Sequence, residues 1–138
     1  MVIAQSARRP HEVLLVEDNP VNREVARIML DSFGVEVATA ENGAEAVSAL
    51  RDRVYDLVLM DCEMPEMDGF EATRRLRAME IERGVRRTPI VALTAHAISG
   101  DRERCLSCGM DDYLSKPFRR EELHAVLARW IAGGAGQP

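Results

Sequence analysis

Five residues of this chain are of types that handle phosphoryl groups and hard cations, and each follows a short apolar run. Glu17 and Asp18 follow the run at 13–16, and Asp61 closes 57–60. Thr94 closes 90–93, and Lys116 comes two residues after Tyr113 and Leu114. A carboxylate at the tip of an apolar run is costly unless a partner compensates its charge. Like charges at ~4 Å repel by about 4 kcal/mol in a partly screened setting, so acids drawn together need cations. Lys116 supplies one positive charge. A divalent ion supplies more, and an all-oxygen set suits Mg²⁺ rather than zinc. Beside such charges Asp61 stays ionised, and an ionised carboxylate is a nucleophile toward phosphorus. Lys116 and the metal would neutralise the oxygens of the transferred group. Thr94 would donate a hydrogen bond to that group once attached. A phosphoryl on Asp61 adds charge and acceptors, enough to pull a loop inward. The bland alternative is a set of unrelated caps and surface acids, and five positions agreeing at once weigh against it.

Convergence of these residues requires a particular fold. Apolar runs recur at 13–16, 35–38, 57–60 and 90–93, with a weaker one at Tyr113 and Leu114. They lack polar alternation, the pattern of strands buried on both faces. Helical stretches fill the gaps. Asn19 caps the first, Pro20 takes its first position and Gly34 ends it. Val25, Ile28, Met29 and Phe33 read as its buried stripe. The second helix spans 43–51, with Val47, Leu50 and Val54 inward. Asp68 and Gly69 open a third that carries Phe70, Thr73 and Leu76. A fourth lies near 100–108 and ends at Gly109. The last, about 121–130, places Leu123, Val126, Leu127, Trp130 and Ile131 in register. Five β-α repeats imply a doubly wound five-stranded parallel sheet with helices on both faces, a flavodoxin-like (βα)5 α/β fold. Ligands in such folds sit beyond the carboxyl ends of the strands, where all five chemical residues fall. Only the second strand end, near Ala40 and Glu41, offers little.

Bulk properties narrow the class further. The 138 residues suit one domain, and 46% hydrophobic with 30% charged residues is ordinary globular composition. The net charge of −5 argues against a nucleic-acid binder. The arginine pairs at 8–9, 74–75, 86–87 and 119–120 are interleaved with acids and read as solvated surface. No stretch is apolar enough to span a bilayer, and "MVIAQSARRP" lacks the core of a signal peptide. Residues 1–10 read as a leader or linker, 11–131 as the domain and 132–138 as a linker-like tail. Three cysteines, Cys62, Cys105 and Cys108, do not make a disulfide scaffold. The C-x-x-C spacing of Cys105 and Cys108 has no second pair for zinc and reads as inert mid-helix thiols. A reducing, cytoplasmic setting follows.

The segments "VLLVEDNPVNREV", "DLVLMDCEMPEMDGFEATRRLR", "PIVALTAHA" and "GMDDYLSKPF" carry a resemblance. In order and spacing they resemble the receiver domains of two-component response regulators, over about 11–131. The resemblance implies that Asp61 takes a phosphoryl group from a phosphohistidine. Glu17 and Asp18 would bind Mg²⁺ with Asp61, and the main chain of Glu63 would complete the protein ligands. Thr94 would be the switch hydroxyl, Lys116 the phosphate-pairing cation and Tyr113 the aromatic rotamer switch. Lys116-Pro117 falls where the family has a cis peptide. "EDNPVNREV", "MDCEMPEMDG" and "LTAHA" look most like the receivers of hybrid sensor histidine kinases. Such receivers pass phosphate to a histidine phosphotransfer domain, and their parent kinase can be membrane-bound. Stand-alone single-domain regulators that act by docking share the wording and remain the alternative. The partners implied are a histidine kinase or phosphotransfer domain, with dimerisation open and no nucleic acid. Glu63 and His96 fall where the family varies to tune phosphate lifetime; for His96 a plain exposed side chain competes with a general base. His11 and His124 have no supporting motif of a phosphohistidine.

Two other classes compete. A haloacid-dehalogenase-type phosphatase uses similar residues, but its Asp nucleophile comes on the first strand and its acid pair last. The order here is the reverse. A docking module that takes no phosphate would be expected to have lost the acceptor or the lysine, and this chain keeps both. Docking as an output would run through the last helices and Tyr113, by a shift between two surface states. Met64 and Met67 read as local packing after Asp61.

Overall fold

Successive side chains of a strand point to opposite faces, so a strand covered on both sides must be apolar throughout. A computed structural model of the chain describes residues 10–95 and 101–131, and it realises this arrangement. The elements alternate as β1 (Glu12–Val16), α1 (Pro20–Ser32), β2 (Glu36–Ala40), α2 (Gly43–Asp52) and β3 (Leu57–Asp61). They continue as α3 (Gly69–Arg83), β4 (Ile90–Thr94), α4 (Asp101–Cys108), β5 (Asp112–Ser115) and α5 (Arg120–Trp130). The strands form one parallel sheet in the order β2-β1-β3-β4-β5. The expected fold class is therefore the observed one.

Val13, Leu15, Leu57, Leu59, Val91 and Leu93 face α1 and α5. Leu14, Val16, Val58, Met60, Ile90 and Ala92 face the opposite core, with residues of α2, α3 and α4. Only the three central strands meet the expectation of burial on both faces. The edges β2 and β5 are half-exposed, because each has a neighbour on one side only.

The caps of α1 are as read. Asn19 Oδ1 accepts from the N–H groups of Val21 and Asn22 at 2.9 and 3.0 Å. Pro20 sits at the first helical position, and Gly34 turns the chain beyond it with φ of 86°. The buried stripe of α1 is corrected. Ala26, Leu30 and Phe33 face the core, whereas Val25 and Ile28 are 49% and 55% exposed. At 100° per residue, positions 26, 30 and 33 share one face. Val21, Val25 and Ile28 form a second apolar ridge turned away from it. Val54 lies beyond α2 and is exposed rather than inward. The stripes of α3 and α5 are as expected, although Trp130 is only partly covered.

The amino ends of β4 and β5 are tied by Arg77. It donates to Glu80 Oε1 at 2.9 Å, to Asp111 Oδ2 at 2.8 Å, and to the carbonyls of Thr88 and Gly109 at 2.8 Å. Ile90 N–H and Arg87 also bond Asp111, so Arg87 is more than solvated surface. At the carboxyl end the loop after β3 must return at once into α3, and Gly69 allows it. A Cβ there would lie 2.3 Å from the Asp61 carbonyl oxygen and 3.0 Å from Cα of Cys62. Backbone cannot yield as a side chain can. Gly69→Ala is expected to lower the unfolding free energy by about 2–3 kcal/mol in urea titration; an unchanged midpoint would refute the close approach.

Candidate functional site

The strand order reverses between β1 and β3, which opens a crevice beyond their carboxyl ends. Glu17 leaves β1 into that crevice with little freedom. Its N–H donates to the Ala40 carbonyl at 3.0 Å, and its own carbonyl accepts from Arg23 Nη1 at 2.9 Å. Its carboxylate accepts from Asn19 N–H at 3.1 Å. Asp61 ends β3, and Cys62 N–H extends the ladder to the Leu93 carbonyl at 3.0 Å. Lys116 comes from beyond β5, and its N–H donates to the Thr94 carbonyl at 2.8 Å. The Lys116–Pro117 peptide is cis, as the resemblance implies. From there the ammonium reaches Glu17 Oε1 at 3.0 Å and Asp61 Oδ1 at 3.1 Å. Glu63 N–H donates to the same Asp61 oxygen at 3.1 Å.

The charge balance is unequal. Glu17, Asp18 and Asp61 bring carboxylate oxygens within 4.8 Å of one another. Glu17 and Asp61 are each 2% exposed, and Asp18 is half-buried. Burial pushes the Asp61 carboxyl up to about 7. The Glu63 N–H and the Lys116 charge oppose that rise, and Glu17 adds to it. For Lys116 burial pulls downward, but the Glu17 hydrogen bond and the Asp61 charge prevail, so its ammonium is held more firmly than usual. One ammonium against three acids leaves net negative charge for a cation. An octahedron with arms of ~2.1 Å has ligand oxygens about 3 Å apart in cis and 4.2 Å in trans. The carboxylate spread matches that size, and the donors are hard oxygens. The residues fit Mg²⁺.

Thr94 is buried at the end of β4, one position past Leu93, which pairs with Asp61. Asp61, Glu17, Asp18, Lys116 and Thr94 thus share one end of the sheet. Glu63 contributes its backbone there, while its side chain is exposed. Tyr113 lies apart on β5, partly covered, with the Arg102 guanidinium 5.7 Å from its ring centroid. His96 lies outside the described residues. His124 packs edge-on against Phe33, and His11 lies 3.6 Å from Asp56, both away from the crevice. The supporting residues Asn19, Arg23 and Gly69 were not foreseen in those roles. Asn19 and Gly69 were legible as helix openers, but the bond from Arg23 to the Glu17 carbonyl has no signal in spacing.

Residues 13–128 match the family model described as the response regulator receiver domain. The chain is 52% identical to the crystallised receiver domain of the sensor histidine kinase PA1611 from Pseudomonas aeruginosa, which holds a magnesium ion in its active site cleft. That comparison covers 89% of this chain and 98% of the other, with a TM-score of 0.81. A receiver domain of Saccharomyces cerevisiae, crystallised with its histidine phosphotransfer protein, is 32% identical, with a TM-score of 0.80 over 96% of this chain and 94% of that one. The sensor protein GacS of Pseudomonas syringae is 46% identical over 125 residues. Those span 91% of this chain and only 14% of that protein. No described helix is long and apolar enough to cross a membrane.

The raised Asp61 group makes stability depend on pH. A carboxyl whose folded pKa lies above its unfolded value contributes stability that is complete below about 4 and lost as pH rises through about 7. In metal-free buffer, Asp61→Asn is expected to exceed the wild type by on the order of 2 kcal/mol near pH 8 and to match it near pH 4. Adding Mg²⁺ should narrow the difference at pH 8. Urea unfolding at the two pH values reads it, and a variant no more stable at pH 8 would refute the buried-charge account.

Proposed function

The chain belongs to the response regulator receiver domain family, and from that premise we propose that Asp61 is the acceptor of a phosphorelay. Asp61 attacks the phosphorus of a phosphohistidine in line with the departing imidazole nitrogen. The phosphorus–nitrogen bond breaks as the acyl phosphate forms. Lys116 pairs with a phosphoryl oxygen, and the Thr94 hydroxyl donates to another once the group is attached. Glu17, Asp18, Asp61 and the main-chain carbonyl of Glu63 would hold Mg²⁺, which when bound supplies charge that stabilises the phosphoryl oxygens. Tyr113 would turn inward as Thr94 is drawn to the phosphoryl. The observation that carries this reading is the shared ammonium. Lys116 bridges Glu17 and Asp61, so its charge opposes the rise that burial imposes on the acceptor carboxyl and favours the ionised form.

The likeness to sensor kinases supports a receiver within a hybrid kinase, although the chain spans 14% of GacS. Passage of phosphate to a histidine phosphotransfer domain is supported by the surface beside the crevice. A cleft of about 360 Å³ runs from Glu17 and Lys116 over Val25, Met29, Pro117 and Phe118. The exposed ridge of Val21, Val25 and Ile28 continues it. A helix bearing the reacting histidine, apolar on one face, would cover that ridge while its imidazole enters the crevice.

Treatment with acetyl phosphate is expected to add one phosphoryl group by intact mass, only with Mg²⁺ present and not in Asp61→Ala. Val25→Glu should leave that labelling unchanged and slow transfer to a phosphotransfer domain by about tenfold or more. Absence of labelling would overturn the acceptor assignment, and undiminished transfer would overturn the docking face.

A further inference from the structure

The C-x-x-C spacing pairs Cys105 with a neighbour it does not face. Cys108 turns its thiol to the Cys105 carbonyl at 3.2 Å. The Cys105 sulfur instead lies 3.7 Å from that of Cys62, across 43 residues of chain. Both are enclosed, at 1% exposure for Cys62 and 0% for Cys105. Cys62 immediately follows Asp61, and Cys105 belongs to α4, the helix after the Thr94 strand.

The two sulfurs are unequally free to move. The Cys62 backbone is pinned on both sides, with its N–H on the Leu93 carbonyl at 3.0 Å and its carbonyl taking Gly69 N–H at 3.2 Å. The α4 side is looser. Among the described side chains of that helix only Cys105 is buried, and the others are exposed or half-exposed. Arg104 stands over the Phe70 ring at 3.9 Å and Arg102 over Tyr113 at 5.7 Å. A helix anchored by one buried side chain opens more readily than its neighbours. A disulfide needs a sulfur separation of ~2.05 Å, so α4 must approach by roughly 1.7 Å or the side chains must rotate to match.

We propose that Cys62 and Cys105 form an oxidation site, in which a hydroperoxide converts them to a disulfide that staples α4 to the end of β3. One thiolate attacks the peroxide oxygen, giving a sulfenic acid and releasing an alcohol, or water from hydrogen peroxide. The second thiolate displaces the sulfenic oxygen as water, and the sulfur–sulfur bond forms. Two thiols together lose two protons and two electrons, and the peroxide gains them. Enclosure shields both sulfurs from an oxidant in solution, so oxidation proceeds through openings of α4. The consequence is a covalent tie between the strand that carries Asp61 and the helix that follows Thr94.

The test is exposure of the whole chain to hydrogen peroxide, followed by alkylation, intact mass and a non-reducing peptide map. Wild type and Cys108→Ser are expected to stay monomers and lose two hydrogens to one disulfide, wild type then taking one alkyl group at Cys108 and the variant none, with Cys62 and Cys105 in one linked peptide pair. Dithiothreitol should reverse the change, and Cys62→Ser and Cys105→Ser should show no such link. Amide exchange across 102–108 should slow at least tenfold in oxidised Cys108→Ser. A Cys105–Cys108 link, a link between two chains, oxygenated thiols without a link, or no reaction would each overturn the site. A link that leaves α4 exchange unchanged would overturn the staple.

Discussion

One ammonium shared by two buried carboxylates sets the character of the carboxyl end of this sheet. Lys116 stands 99 residues from Glu17 in the chain and 3.0 Å from it in space. Without that cation, Glu17 and Asp61 would place uncompensated charge under the surface, a cost of several kcal/mol. With it, they still outnumber the positive charge once Asp18 is counted. The site is therefore stable enough to fold and unsatisfied enough to take a cation. That imbalance is what a phosphoryl-accepting crevice needs, since the incoming group brings more negative charge.

The opposite end of the sheet has no such deficit. Arg77 lies between Glu80 and Asp111; Thr88 N–H takes the other Glu80 oxygen, Arg87 takes the other Asp111 oxygen, and Ile90 N–H shares Asp111 Oδ2 with Arg77. Satisfied buried networks hold a structure in one arrangement, whereas under-satisfied ones respond to ligands. Rigid strands join the two ends, so a change of charge at Asp61 meets a firm base and must be absorbed by loops and helices around the crevice. Among the described side chains of α4 only Cys105 is buried. The thiol contact between Cys62 and Cys105 lies there, beside the end of β3.

The surface divides along similar lines. The inward face of α1 belongs to the core through Ala26, Leu30 and Phe33, while Val21, Val25 and Ile28 remain outside. An apolar ridge left in water beside a charged crevice is compatible with a partner that must bring its reacting group into that crevice.

How much of this was legible without coordinates varies by residue. The apolar runs and helix caps determined the parallel α/β fold, because a strand covered on both faces must be apolar and Asn19, Pro20 and Gly34 mark helix ends by local geometry. That fold places every strand end on one side, so Glu17, Asp18, Asp61, Thr94 and Lys116 were readable as one cluster. Sequence spacing failed where two solutions were equally periodic. Val25 and Ile28 repeat as well as Ala26 and Leu30 do, and only packing against the sheet chose the buried face. It also failed for the bond from Arg23 to the Glu17 carbonyl across a loop, and for contacts between distant segments: Arg77 with Asp111, and Cys62 against Cys105. Local chemistry and periodicity are properties of neighbouring residues and are written in order along the chain. The facing of helices and the meeting of distant side chains are decided when the sheet and helices pack together.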